Sequence, residues 1–264
     1  MVLLFDIGNT NIVLGLCEQG TIRNTFRFVT NSSLTEDDYY QKIKIAIGDS
    51  SSHSQIEGSI ISSVVPRLDH VFISLVKKYY HIKPILVGPG LKSDLKLKIE
   101  NTKQLGADLL CDALGAYNKY GGPTIIVDMG TATKLIVVSK NKEFLGGAIC
   151  AGLQGSLDSL INTTSKLSRT FLEVPVRSIN NETSACIQSG IVYGHICMID
   201  GLIAKFKKEL GTEDVKVILT GGYSSIVKDF LETNVIYDPN VLLDGLYSIC
   251  LLYTSPSPRD GLLS

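Results

Sequence analysis

The sequence predicts an α/β protein of two similar domains that face each other across a cleft. Two observations predict it. A strand ending in Asp, a small-residue loop and a second strand occur near the start and recur about 120 residues later. Around both copies, apolar runs of strand length alternate with stretches of helical spacing, the pattern of sheets covered by helices. The 264 residues, 44% hydrophobic and 19% charged, are enough to bury cores of this kind.

In the first half, residues 2–5 form an apolar strand that ends at Asp6 and a Gly/Asn/Thr loop. Residues 12–17 continue apolar, 18–20 turn, and 21–29 alternate, giving an antiparallel meander. The opening MVLLFDIG has no basic leader or cleavage site, so it reads as a strand and not as a signal peptide. Residues 35–47 carry helical spacing (Tyr39, Ile43, Ile47), with Ser33 and Glu36 as an expected capping box. A β-rich run at 59–65 stops at Pro66, 68–79 reads as helix and 84–87 as strand. The lysine-rich stretch 88–100 reads as a loop or edge element, and 105–120 as helix.

The opening pattern then returns. Residues 124–127 lead to Asp128, 135–139 form the return strand, and 144–149 the third. Helix 153–163, a proline-containing loop at 174–181 and a long helical stretch at 182–210 follow. A strand at 215–219 enters Thr220-Gly221-Gly222, and 224–231 and 241–252 read as helices. The expected domains are 1–115 and 116–252. Two Ser-Pro steps stop the helix, so 253–264 is expected to be a flexible or non-native tail.

Lys+Arg is 25 and Asp+Glu 26, for a net charge of -1, which argues against a nucleic-acid partner. An anionic ligand stays open, because backbone N–H groups bind phosphate without net charge. No apolar run was found that reaches the ~18 residues of a membrane span, so a cytoplasmic protein with no membrane partner is expected. The 6 cysteines contain no CxxC and sit in apolar stretches. They read as buried free thiols in a reducing compartment, with a disulfide framework or a zinc site as the alternative. The 4 histidines show no ligand spacing.

Three small-residue loops follow apolar strands: 6–11, 128–133 and 220–222. Gly allows tight turns and close approach, and Thr and Asn add short donors, so such loops can wrap nucleotide phosphates. An Asp at the strand end suits Mg²⁺ held through water. Neither a P-loop nor a Rossmann fingerprint is present.

Asp6-Ile7-Gly8-Asn9-Thr10-Asn11, Gly106-Ala107-Asp108, Asp128-Met129-Gly130-Thr131-Ala132-Thr133, Gly146-Gly147-Ala148-Ile149 and Thr220-Gly221-Gly222 occur in this order. Together they closely resemble type III pantothenate kinase, over residues 1 to about 250. The resemblance implies two duplicated ribonuclease-H-like (actin-like ATPase) domains, each with a mixed five-stranded sheet, and a nucleotide cleft between them. It implies ATP-dependent phosphorylation of pantothenate to 4'-phosphopantothenate, the first step of coenzyme A synthesis. It also implies Mg²⁺ or another divalent ion, K⁺ or NH₄⁺, and a homodimer with sites near its interface.

Carried over residue by residue, the resemblance implies an ATP loop of Asp6, Ile7, Gly8, Asn9, Thr10, Asn11, Ile12 and Val13, with Asp6 holding the divalent ion through water. Gly130, Thr131, Gly221 and Gly222 match further ATP contacts, and Asp128 the monovalent-cation ligand. Gly106, Ala107, Asp108, Leu109 and Thr183 match the pantothenate site, with Asp108 as general base. A carboxylate at a helix start also suits that role physically, since phosphoryl transfer needs an acceptor for the hydroxyl proton. The bland reading of Asp108 is an acid that satisfies free helix N–H groups.

The chain departs from the family pattern on the acceptor side. Leu109 stands where the family carries Arg, Ile99 and Thr102 where it carries Tyr and Pro, and Lys134 where Thr is common. Leucine offers neither charge nor a fork of donors. Two other readings follow from this: a catalytically weakened regulatory homodimer of the same fold, or a small-molecule kinase with a different acceptor.

Overall fold

A computed structural model describes residues 1–48, 56–88, 90–91, 93–163 and 170–254. These form two compact units. The first comprises 1–94, 101–115 and the residues from 240 onward, the second 95–100 and 116–239.

In the first unit, β1 (Val2–Ile7), β2 (Asn11–Glu18) and β3 (Thr21–Val29) make the antiparallel meander. α1 (Glu36–Ile47) follows, then β4 (Gly58–Ser63), α2 (Pro66–Tyr80) and β5 (Ile85–Leu86). The sheet order is β3-β2-β1-β4-β5, with β4 parallel to both β1 and β5. β1 is central and nearly all buried, as its apolar run requires. One sheet face gives Leu3, Phe5, Ile7, Ile12 and Leu14 to a core completed by Tyr39, Ile43, Leu68 and Phe72 of the helices. The helix α1 cap is a box between Thr35 and Asp38, two residues later than the Ser33–Glu36 pair expected. Ser33 instead donates its N–H to Asn31, in a local turn that precedes the helix.

The short β6 (Lys96–Leu97) joins the second unit, and α3 (Ala107–Tyr120) begins in the first. β7 (Thr124–Met129), β8 (Ala132–Val138) and β9 (Glu143–Ala151) repeat the meander. α4 (Leu153–Asn162), α5 (Thr183–Leu210), β10 (Lys216–Thr220), the single-turn α6 (Ser224–Val227) and β11 (Ile236–Tyr237) complete the unit. Its sheet order is β11-β10-β7-β8-β9-β6. Strand by strand this repeats the first sheet, with β9-β8-β7-β10-β11 standing for β3-β2-β1-β4-β5. The five strands expected become six, because the lysine-rich stretch supplies β6 parallel to the edge of β9. The helix expected over 224–231 closes after one turn, and β11 was not expected at all.

α7 (Val241–Thr254) corrects the expected domain division. Sequence order put 241–252 in the second domain, but α7 packs on β1 and β4 of the first unit. There Leu243 meets Gly15, and Cys250 meets Gly58. The helix also runs through residues 253 and 254, which were expected in the tail; 255–264 lie outside the described residues.

Contrary to the expectation from the sequence, α5 is long and apolar enough, by length and composition alone, to cross a membrane. Val192, Ile196, Ile199 and Ile203 of its inner face pack on Ile125, Val127 and Leu135 of the second sheet. All 6 cysteines are free. Cys17, Cys111 and Cys250 are buried as expected, but Cys186 and Cys197 are exposed on α5.

Candidate functional site

The first loop lies at the tip of the β1–β2 hairpin. Pairing runs Asp6↔Val13 and Ile7↔Ile12, and Gly8 closes the turn by donating its N–H to the Asn11 carbonyl at 3.0 Å. The Gly8 carbonyl accepts from the Thr30 hydroxyl at 2.7 Å, which ties the tip to the end of β3. Ile7 and Ile12 are fully buried in the core, so only their backbone can reach a ligand. Asn9 and Thr10 are exposed, and Asp6 is half-buried.

Asp108 lies in the first turn of α3. Its Oδ1 accepts the Leu109 N–H at 2.9 Å, so the bland capping role is real. A methyl on Gly106 would lie 2.4 Å from the same oxygen, so glycine there is what leaves the carboxylate in place. One turn on, burial pushes the Cys111 thiol well up, and the charges of Asp6, Asp112 and Asp108 add to the shift. Three carboxylates are therefore within electrostatic reach of one buried thiol. The structure thus brings Asp6 and Asp108, more than one hundred residues apart in sequence, into one electrostatic neighbourhood of the first unit. Asp112 is fully buried and went unnoticed in the sequence, where it looks like an ordinary helix residue.

The second loop is the tip of the β7–β8 hairpin, with Asp128↔Lys134 and Met129↔Thr133 paired. β10 runs parallel to β7 with Thr220 opposite Asp128, and this sets the third loop beside the second. Gly221 has φ 93° and touches Asp128 so closely that a Cβ would lie 2.5 Å from Oδ1 and 2.4 Å from the Met129 nitrogen. Any side chain there would be both strained and clashing. Of the expected nucleotide contacts, Gly221 and Gly130 therefore lie beside Asp128, and Thr131 and Gly222 follow them in their loops. Thr131 and Gly222 are exposed, and Gly130 and Gly221 are half-buried. Behind the loop, Thr133 and the buried His195 share a hydrogen bond of 2.7 Å.

Thr183 is the exposed first residue of α5, where Glu182 caps the helix by accepting from the Ser184 and Ala185 N–H groups. Leu109 and Ile99 are half-buried and Thr102 is exposed.

The two strand-end acids differ in their fitness for cations. Among the described residues no three His, Cys, Asp or Glu side chains gather as a metal cage. A Mg²⁺ ion that keeps its waters and binds through a carboxylate and phosphates fits Asp6. A monovalent cation does not fit Asp128. Its Oδ2 is bonded at 2.5 Å to the Lys134 ammonium, and the two side chains are only 12% and 15% exposed. A second cation about 4 Å from the ammonium would meet a repulsion of roughly 4 kcal/mol at an effective dielectric near 20, which cancels most of the attraction that the carboxylate would otherwise offer it.

The sequence model of the type III pantothenate kinase family matches residues 2–205. The chain belongs to that family. Solved structures share the fold at low identity. A Campylobacter jejuni protein assigned to the Baf family of transcriptional activators is 18% identical, with 96% of this chain and 100% of that one covered and a TM-score of 0.61. A Sinorhizobium meliloti protein assigned as a 2-dehydro-3-deoxygalactonokinase is 10% identical, with 97% and 98% covered and a TM-score of 0.56. The activator of the 2-hydroxyisocaproyl-CoA dehydratase from Clostridium difficile, solved with ADPNP bound, is 16% identical, with 95% and 93% covered and a TM-score of 0.50. The fold is thus the two-domain, actin-like ATPase fold. This type III pantothenate kinase family member is an ATP-dependent kinase.

Proposed function

We propose that this kinase transfers the γ-phosphoryl group of ATP to the primary hydroxyl of pantothenate, giving 4'-phosphopantothenate for coenzyme A synthesis. The observation that carries the reading is the family match over residues 2–205, supported by Asp6 near the end of β1 and Asp108 in the first turn of α3, both within electrostatic reach of Cys111. One acid ends a strand and opens a phosphate-type loop, and the other stands in the first turn of a helix, from which it can take a proton. The pantothenate hydroxyl donates its proton toward the Asp108 carboxylate as its oxygen bonds to the γ-phosphorus. The bond from that phosphorus to the β–γ bridging oxygen breaks, and ADP leaves.

The backbone of residues 6–13, with the side chains of Asn9, Thr10 and Asn11, supports phosphate binding in the first unit. Gly130, Thr131, Gly221 and Gly222 are the nucleotide contacts of the second. Asp6 would hold Mg²⁺ through its waters, and that ion supplies charge neutralisation to the phosphates when bound. Gly106, Ala107, Leu109 and Thr183 are the residues proposed to contact pantothenate. The working form is a homodimer, as the resemblance implies, acting in the cytoplasm as the composition led us to expect.

ADP release, followed with pantothenate and with a panel of sugars, tests the acceptor. Release with pantothenate and not with sugars is expected. Release with a sugar alone would reassign the acceptor, and release with none would leave a nucleotide-binding protein without this reaction.

A further inference from the structure

The duplicated hairpins differ at the residue opposite the strand-end acid, and in the second hairpin that residue is charged. In the first hairpin the strand-end Asp6 stands opposite Val13, which brings no charge. In the second, Asp128 stands opposite Lys134, and the ammonium sits on the carboxylate at 2.5 Å. The pair is largely buried, and a buried carboxylate needs a cation close by. The other oxygen of Asp128 faces the third loop, since a Cβ at Gly221 would lie 2.5 Å from it, and Gly130 of its own loop is next to it, where a Cβ would lie 3.9 Å away. The neighbourhood is also fixed from behind, where Thr133, adjacent in sequence to Lys134, is hydrogen-bonded to the buried His195.

We propose that the Lys134 ammonium is the resident monovalent cation of the second phosphate loop, so that this kinase binds nucleotide without K⁺ or NH₄⁺. A soluble ion at Asp128 would supply one positive charge beside the phosphates. Lys134 supplies the same charge covalently, with its donors held by a carboxylate on the facing strand. The proposal rests on the reading that this loop takes nucleotide, and not on the identity of the acceptor.

The test compares ADPNP binding and thermal stability in choline chloride and in KCl of equal ionic strength, for the wild type and for Lys134→Thr. The wild type is expected to bind within about twofold in the two salts, with an unchanged Tm. Lys134→Thr opens room beside Asp128. It is expected to bind at least about tenfold more weakly in choline chloride, and to recover both affinity and Tm in KCl. Tighter wild-type binding in KCl would overturn the proposal, and so would a variant indifferent to K⁺. Should the variant fail to fold, the wild-type comparison still decides in the same way. A wild type that binds ADPNP in neither salt would overturn the nucleotide reading as well, whereas failure with pantothenate leaves the proposal standing.

Discussion

Asp108 carries two roles that one substitution can separate. Its Oδ1 accepts the Leu109 N–H, and its charge, like that of Asp6, is felt at Cys111. Asn keeps an acceptor oxygen for the helix but loses the negative charge and the ability to take a proton. Asp108→Asn is therefore expected to lower kcat by about 100–10,000-fold, the usual worth of a positioned general base. ADPNP affinity and Tm should stay near wild type. Turnover that survives would leave Asp108 with the capping role alone. At this scale the sequence showed residue types and loop positions, because a strand-end Asp before glycine is a local pattern. It did not show partners. Lys134 was visible only as a residue of unknown direction, although the short loop between β7 and β8 sets it opposite Asp128. Likewise Asp112 and His195 look ordinary until the fold buries them.

Elements were legible where their own residues decide them. The two meanders follow from apolar runs and turn residues, and α2 from Pro at its first turn with a regular apolar stripe. Elements decided by distant partners were not. β11 is two residues long and exists through its pairing with β10. α7 is apolar enough to suit either sheet, and its place comes from glycine contacts that no local pattern marks. A methyl on Gly245 would lie 1.9 Å from the Cys111 carbonyl oxygen, and one on Gly115 would lie 1.9 Å from that of Val241. α3 and α7 therefore touch backbone to backbone. Gly245→Ala gains about 1 kcal/mol of helix propensity but must push the helices apart. Overpacking of that kind costs about 3 kcal/mol, so a net loss of stability is expected, readable in a denaturant titration. Because α3 carries Asp108, kcat should fall too. A variant as stable as wild type would show that α7 does not press on α3.

For the whole molecule, the duplication was the most legible feature, since both hairpins and both sheet orders repeat. The stability of that whole has a pH dependence written into the second unit. His195 is buried against Thr133, and burial holds its pKa below the ordinary 6.5. The unfolded chain therefore binds a proton more readily than the folded one. The sign follows: this contribution to stability is complete above 6.5 and is lost as the pH falls from there through the lower folded value. The carboxyls of Asp37, Asp38 and Glu182 respond later. Hydrogen bonds from Lys78, from the Thr35 backbone and from Ser184, respectively, hold them below their ordinary 3.8, 3.8 and 4.5. Between about pH 7 and about pH 5, Tm should thus decline chiefly through His195. Gln at 195 keeps a hydrogen-bonding amide near Thr133 but does not titrate. The Tm of His195→Gln should be flatter over that range, even if it is lower at neutral pH. Parallel declines in the two proteins would place the acid-sensitive group elsewhere in the fold.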